Sequence, residues 1–250
     1  STSPIGRDAF AGNEKLVNIT LDNTTYLGER MFADCEKLKS VTIPATVKAI
    51  EPGVFSRDVL LEHVVFENTF AGQDMFEYCQ SLKAIEIPNF TKLDDYAFRN
   101  SYLESIVLPN SLETVGTGVF SNSYHLTSIT FGNGIIGNEM FKDCTALESV
   151  TIPAGITEVR ANAFDGCTKL TNITFENDKI GDYMFANCTG LYTITIPTNI
   201  TSIGEHAFDG CTALGTVVNG VKGTINNESK IWSNYMFANC TGLTTITIEN

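Results

Sequence analysis

Seven cysteines, three histidines and a surplus of acids are the residues of this chain whose types could do chemistry. The cysteines are Cys35, Cys79, Cys144, Cys167, Cys188, Cys211 and Cys240, each three residues after a phenylalanine. Thiols held in a fixed frame could ligate a metal, pair as disulfides or pack as small apolar groups. No Cys-x-x-Cys occurs and no histidine accompanies the column, which disfavours zinc. Neighbouring repeats would bring cysteines within bridging distance, but the odd count and the one-per-repeat spacing argue against a disulfide framework. The expectation is a column of buried thiols. His63, His125 and His206 take three different places relative to the repeat, and none is set beside a nucleophile that it could activate. No Gly-x-Ser-x-Gly, phosphate loop or dinucleotide fingerprint is present. The chain therefore reads as a non-enzyme, with no catalytic residue, no cofactor and no metal site.

What must position these residues is a repeat, seen whole in LYTITIPTNITSIGEHAFDGCTAL from Leu191 to Leu214. Its phenylalanine recurs at Phe10, Phe32, Phe55, Phe76, Phe98, Phe120, Phe141, Phe164, Phe185, Phe208 and Phe237, at intervals of 21–23 residues with 29 at the last. A leucine opens the next unit six residues later, five in the case of Leu103. Period-two pairs follow it, such as Val41 and Ile43 or Ile194 and Ile196, marking short strands with one buried face. A period of this length with Leu-x-x-Leu-x-Leu spacing reads as a leucine-rich-repeat solenoid. The expected architecture is about eleven coils of 21–23 residues. A parallel β-sheet lines the concave face, and a short 3-10 or α turn on the convex side points each Phe inward. The second residue past the Phe is Gly, Asn or Asp except at Arg57 and Tyr78, as a left-handed turn position requires.

Two kinds of connection alternate. In one, proline closes the strand (Pro44, Pro88, Pro109, Pro153, Pro197), because it cannot donate to a ladder. In the other an asparagine lies near the turn, and the next Phe is preceded by Met. Alternation breaks at Phe98–Phe120, where two proline-type units adjoin. The array is one unit over 1–250, with an insertion at about 219–235 that carries the single tryptophan, Trp232. Ser1 is not an initiator and no leader pattern precedes the repeats, so the chain is expected to be a trimmed portion of something larger. The bare strand at Leu243–Ile248 is expected to extend or to associate.

A net charge of −13 argues against nucleic acid and against anionic lipid. No run approaches 18 apolar residues, so no membrane insertion within this chain is expected. The exposed side of the strands carries small, mostly polar residues two and four past the Leu. At four residues past the Leu stand Thr42, Glu86, Thr130, Thr151, Thr174 and Thr195 among others; His63 and Tyr192 lie on the same face. Lys39, Glu62, Lys83 and Glu104, one past successive leucines, suggest a ladder of alternating charge. Thr is a good strand former, which is the plain explanation of the hydroxyl rows. The functional one is a polar surface for a protein or glycan, with Thr42, His63, Glu86, Thr130, Thr151, Thr174, Tyr192, Thr195 and Trp232 as the ligand-binding face. Two other readings compete: a spacer arm of a larger surface protein, and a glycan-active enzyme using Glu62 and Glu86. Rows of Thr-x-Thr also resemble ice-binding solenoids, whose flat match a concave face would spoil.

The string Ile-Pro-x-x-Ile-x-x-Ile-x-x-x-Ala-Phe-x-x-Cys-x-x-Leu, whole at Ile196–Leu214 and with Val159 in the third slot at Ile152–Leu170, resembles the BspA-like (Treponema-type) leucine-rich repeats. The resemblance covers essentially the whole chain. It implies secreted or cell-surface proteins of host-associated microbes, adhesins whose partners are host proteins or other cells, and it carries no catalytic residues. The extracellular location follows from the resemblance alone. The Met-Phe coils and the long insertion depart from the family pattern.

Overall fold

The computed structural model describes residues 6–219 and 233–248. Trp232 and residues 220–232 of the insertion lie outside the described residues. Every strand pairing in the described residues is parallel, as a chain returning in the same direction after each coil demands.

The core is built from columns, one residue per coil. Phe10 through Phe237 form an unbroken stack of eleven rings, with centroids 5.3–5.7 Å apart and planes within 4–16°. The opening leucines from Leu38 to Leu214 are fully buried beside them. Offset ring pairs contribute about 0.5–1.5 kcal/mol each beyond the burial of their area. No single coil encloses this column; each ring between the two ends is covered by the coils above and below.

The turn around each Phe is not the short helix that the repeat suggested: no helix occurs among the described residues. Two left-handed residues four apart flank it instead, as at Arg30 and Asp34 (φ 51° and 58°) or Tyr96 and Asn100 (57° and 54°). They aim alternate amides along the solenoid axis. Arg30, Phe32 and Asp34 each donate to the next coil, to Pro52, Val54 and Ser56, at 2.9 Å. Amides committed to a neighbouring coil cannot close helical bonds within their own. Arg57 and Tyr78, the two residues that broke the Gly/Asn/Asp pattern, adopt the same left-handed φ (65° and 58°), and the Arg57 guanidinium lies 5.5 Å over the Tyr78 ring.

The strands form two rows rather than one. The Leu-opened row runs from Ser40–Ile43 through His63–Phe66 to Thr245–Ile248, and a second row of mostly two-residue strands, from Tyr26–Leu27 to Ser202–Ile203, lies past the next turn. Pairing alternates between the rows along most of the array, and at the end Thr216–Asn219 pairs within the Leu-opened row on both sides. Ser40–Ile43 pairs with His63–Phe66, Ser105–Val107 with Ser128–Thr130, Ser149–Ile152 with Asn172–Phe175, and Thr193–Ile196 with Thr216–Asn219. The intervening junctions pair in the second row, as Phe70–Ala71 with Lys92–Leu93 and then with Thr114–Val115.

Proline explains the alternation. Glu67 and Glu176, six residues past their leucines, each donate a backbone amide at 2.9 Å to the coil before, at Ile43 and Ile152. The same position is Pro44, Pro88, Pro109, Pro153 or Pro197 in five other coils. A proline there has no amide to give, so the Leu-opened row opens wherever a proline coil follows.

The cysteine column is structural. All seven thiols are free and six are buried. Each Sγ donates to the carbonyl of the phenylalanine one coil earlier, at 3.1–3.4 Å. Burial pushes the Cys35 thiol up to about 11 and the Cys144 thiol to about 12, which keeps both protonated and unreactive. Ser123 fills the slot in its own coil and reaches Phe98 in the same way at 3.4 Å, while Ser101 bonds to Ser123 at 3.0 Å.

Candidate interaction surface

The outward residues of the Leu-opened row are held by the inward ones: alternate side chains point to opposite faces, so burying Val41 and Ile43 exposes Ser40 and Thr42. The position four past the Leu is exposed at Thr42, Glu86, Thr130, Thr151, Thr174 and Thr195. Register brings some of these together. Thr151 lies opposite Thr174, Thr130 opposite Val107, and Thr195 opposite Val218, which in turn lies opposite Thr247. Thr42 lies opposite Val65. Tyr192 stands at the edge of the same face, 66% exposed.

The row is not uniform. In the fourth coil, Leu82 to Pro88, no strand forms. This coil has Pro88 itself and is followed by the coil of Pro109, so the closing amide is missing at both of its junctions. The amides of Ala84, Ile85, Glu86 and Ile87 find no backbone carbonyl. The break in alternation visible in the sequence thus becomes a physical opening. A groove of about 350 Å³ runs between the third and fourth coils, lined by Glu62 to Phe66 on one bank and by Ala84, Ile85, Glu86 and Pro88 on the other. A second recess of about 430 Å³ continues it past Gln80, Ser81 and Lys83. His63 and Glu86 both belong to this groove, whereas Thr130, Thr151, Thr174, Tyr192 and Thr195 lie several coils away. Phe66 forms its floor, edge-on to Phe90 at 4.8 Å and to Phe76 at 5.8 Å.

The expected charge ladder is realised at one rung, Lys83 to Glu104 at 3.5 Å; Glu62 lies 4.0 Å from His63. The other histidines are engaged elsewhere. His125 stacks on Tyr102 at 4.3 Å. His206 bonds through Nδ1 to Asp209 at 2.7 Å and is sandwiched between Tyr183 and Tyr235, at 4.5 and 5.0 Å. That aromatic stack escaped the sequence reading because its position, two before the Phe, holds every kind of residue from Gly118 to Glu139. Val65 and Val107, 55% and 63% exposed, also stand on the strand face at the position four past the Leu, which their place in the repeat makes legible. Among the described residues no group of three or more His, Cys, Asp or Glu side chains is arranged to hold a metal ion.

Comparison with known proteins agrees with this geometry. The chain is similar to a leucine-rich repeat protein from Bacteroides ovatus, with 26% identity and a TM-score of 0.74 over 89% of this chain. It spans 58% of that protein's length. A leucine-rich repeat protein from Eubacterium ventriosum shares the fold, with 22% identity and a TM-score of 0.59 over 90% of this chain and 71% of its own. No curated protein matches. The model of the BspA-type leucine-rich repeat region matches in six copies, over residues 1–102, 69–179 and 157–250. Matched along its whole length, this chain belongs to the BspA-type leucine-rich repeat family.

Proposed function

We propose that this chain is a non-enzymatic recognition module, exposed outside the cell or at its surface, that presents the Leu-opened strand row to a protein or glycan. The observation that carries the reading is the row itself. Small hydroxyl side chains, Thr151 against Thr174 among them, stand exposed and in register on strands fixed by a continuous buried core. Such a surface offers many preorganised donors and acceptors with little side-chain entropy left to lose on binding. Family membership supports the extracellular location and the adhesive role.

The test is a glycan and protein array probed with the chain, then repeated with Thr130→Arg, Thr151→Arg and Thr174→Arg combined. The reading expects a hit on the array that the triple substitution weakens at least about tenfold through steric blockage of a central patch. Binding unchanged by the three arginines would overturn the assignment to this face.

A further inference from the structure

The opening between the third and fourth coils combines a groove with unpaired strand edges and with an acidic side chain on each bank. His63–Phe66 is saturated on one side only: His63 and Glu67 donate back to Lys39 and Ile43, at 3.1 and 2.9 Å. In a parallel strand the N–H and C=O of alternate residues face opposite neighbours. Those of Val64 and Phe66 therefore face the fourth coil, where no strand receives them. The opposite bank, Ala84 to Glu86, likewise has no backbone partner. Both banks of the groove thus carry strand-spaced donors and acceptors without a mate, the feature by which extended peptides are captured at sheet edges. At about 3.3 Å per residue the stretch from Glu62 to Phe66 accommodates roughly five residues of extended chain.

Charge selects the occupant. Glu62 and Glu86 rim the groove from opposite banks. Lys83, the basic side chain beside them, already faces Glu104 at 3.5 Å. From this we propose that the groove binds an extended, lysine- or arginine-rich peptide segment of a partner protein, its backbone pairing with the third and fourth coils and its cations set against Glu62 and Glu86. The inference rests on the strand row being a recognition face and names the partner chemistry for one part of it.

The test uses a fluorescein-labelled nonapeptide of alternating lysine and threonine, titrated against the chain and followed by anisotropy. Saturable binding that falls about tenfold in Glu62→Lys/Glu86→Lys, weakens as salt rises, and fails for the same peptide N-methylated at alternate residues supports the proposal. An equal loss in the remote reversal Glu148→Lys/Glu176→Lys would mean diffuse attraction to an acidic protein and would overturn it. So would undiminished binding of the N-methylated peptide, tighter binding of an alternating glutamate–threonine peptide, or no binding of the basic peptide at all. None of these negative results touches the triple-arginine test, which reads the Thr130–Thr174 patch, so the two proposals fail separately.

Discussion

The carboxyl group of Asp58 accepts a hydrogen bond from the backbone amide of Cys35 at 2.8 Å, from the slot that holds a thiol in most other coils. Asp58 is fully buried, and its second oxygen, Oδ2, has no partner. Where other coils place an S–H that donates to the preceding phenylalanine carbonyl, this coil places a carboxyl. Burial pushes Asp58 up to about 9, with Asp34 adding in the same direction and the Cys35 amide opposing, so the group is a neutral acid at pH 7.

Stability should therefore depend on pH through this residue. An unfolded aspartate titrates near about 3.9. The folded group holds its proton up to about 9, so its contribution is full below about pH 4, declines as pH rises between the two values, and levels off above the upper one. Asp58→Asn keeps an acceptor for Cys35 and carries a permanent N–H donor. Urea midpoints at pH 5, 7 and 9 should show the variant gaining on the parent as pH rises. Curves that stay parallel would count against a buried neutral acid.

Thiol reactivity should be confined to one end of the column. Cys240 is half-buried, and its neighbour Cys211 holds its pKa below the ordinary thiol value, whereas Cys211 and the deeper cysteines are raised. Iodoacetamide on the folded chain, followed by peptide mass spectrometry, should label Cys240 first and leave Cys144, Cys167 and Cys188 until denaturation. Uniform labelling would contradict the packing.

The ring stack should carry far more stability than the recognition face. Phe120 is fully buried between Phe98 and Phe141, 5.4 Å from each. Phe120→Ala should cost about 3–5 kcal/mol in urea unfolding. Thr151→Ala, on an exposed position, should stay within about 0.5 kcal/mol. The exposed Lys83–Glu104 pair should be worth about 0–1 kcal/mol, too little to fix register by itself.

Pro88 should be what holds the groove open. Pro88→Ala places an amide, with no added charge, where Glu67 and Glu176 have theirs, able to donate to Phe66. Hydrogen exchange should then find that amide protected, and the lysine–threonine peptide should bind less tightly. Rapid exchange at position 88 would show that the missing amide is not the cause.

Much of this molecule is written in single residues at a fixed period. Leu, Phe and Cys recur in register, and a chain that must bury them all can do so only by coiling, so the core columns and the parallel pairing were legible before any coordinates. The second strand row was not, because two-residue strands such as Lys92–Leu93 are too short to show an alternation. Nor was the second left-handed position of each turn, where the backbone is dictated by bonds to the neighbouring coil and Tyr, His and Arg are tolerated alike. His63 and Glu86 were singled out as contact residues without any sign that they share a groove. Their meeting depends on Pro88 leaving the third and fourth coils unpaired in that row. Proline's missing amide is a property of one residue, but whether a strand pairs is a property of two neighbours, and only the stacked structure decides which edges are left without a mate.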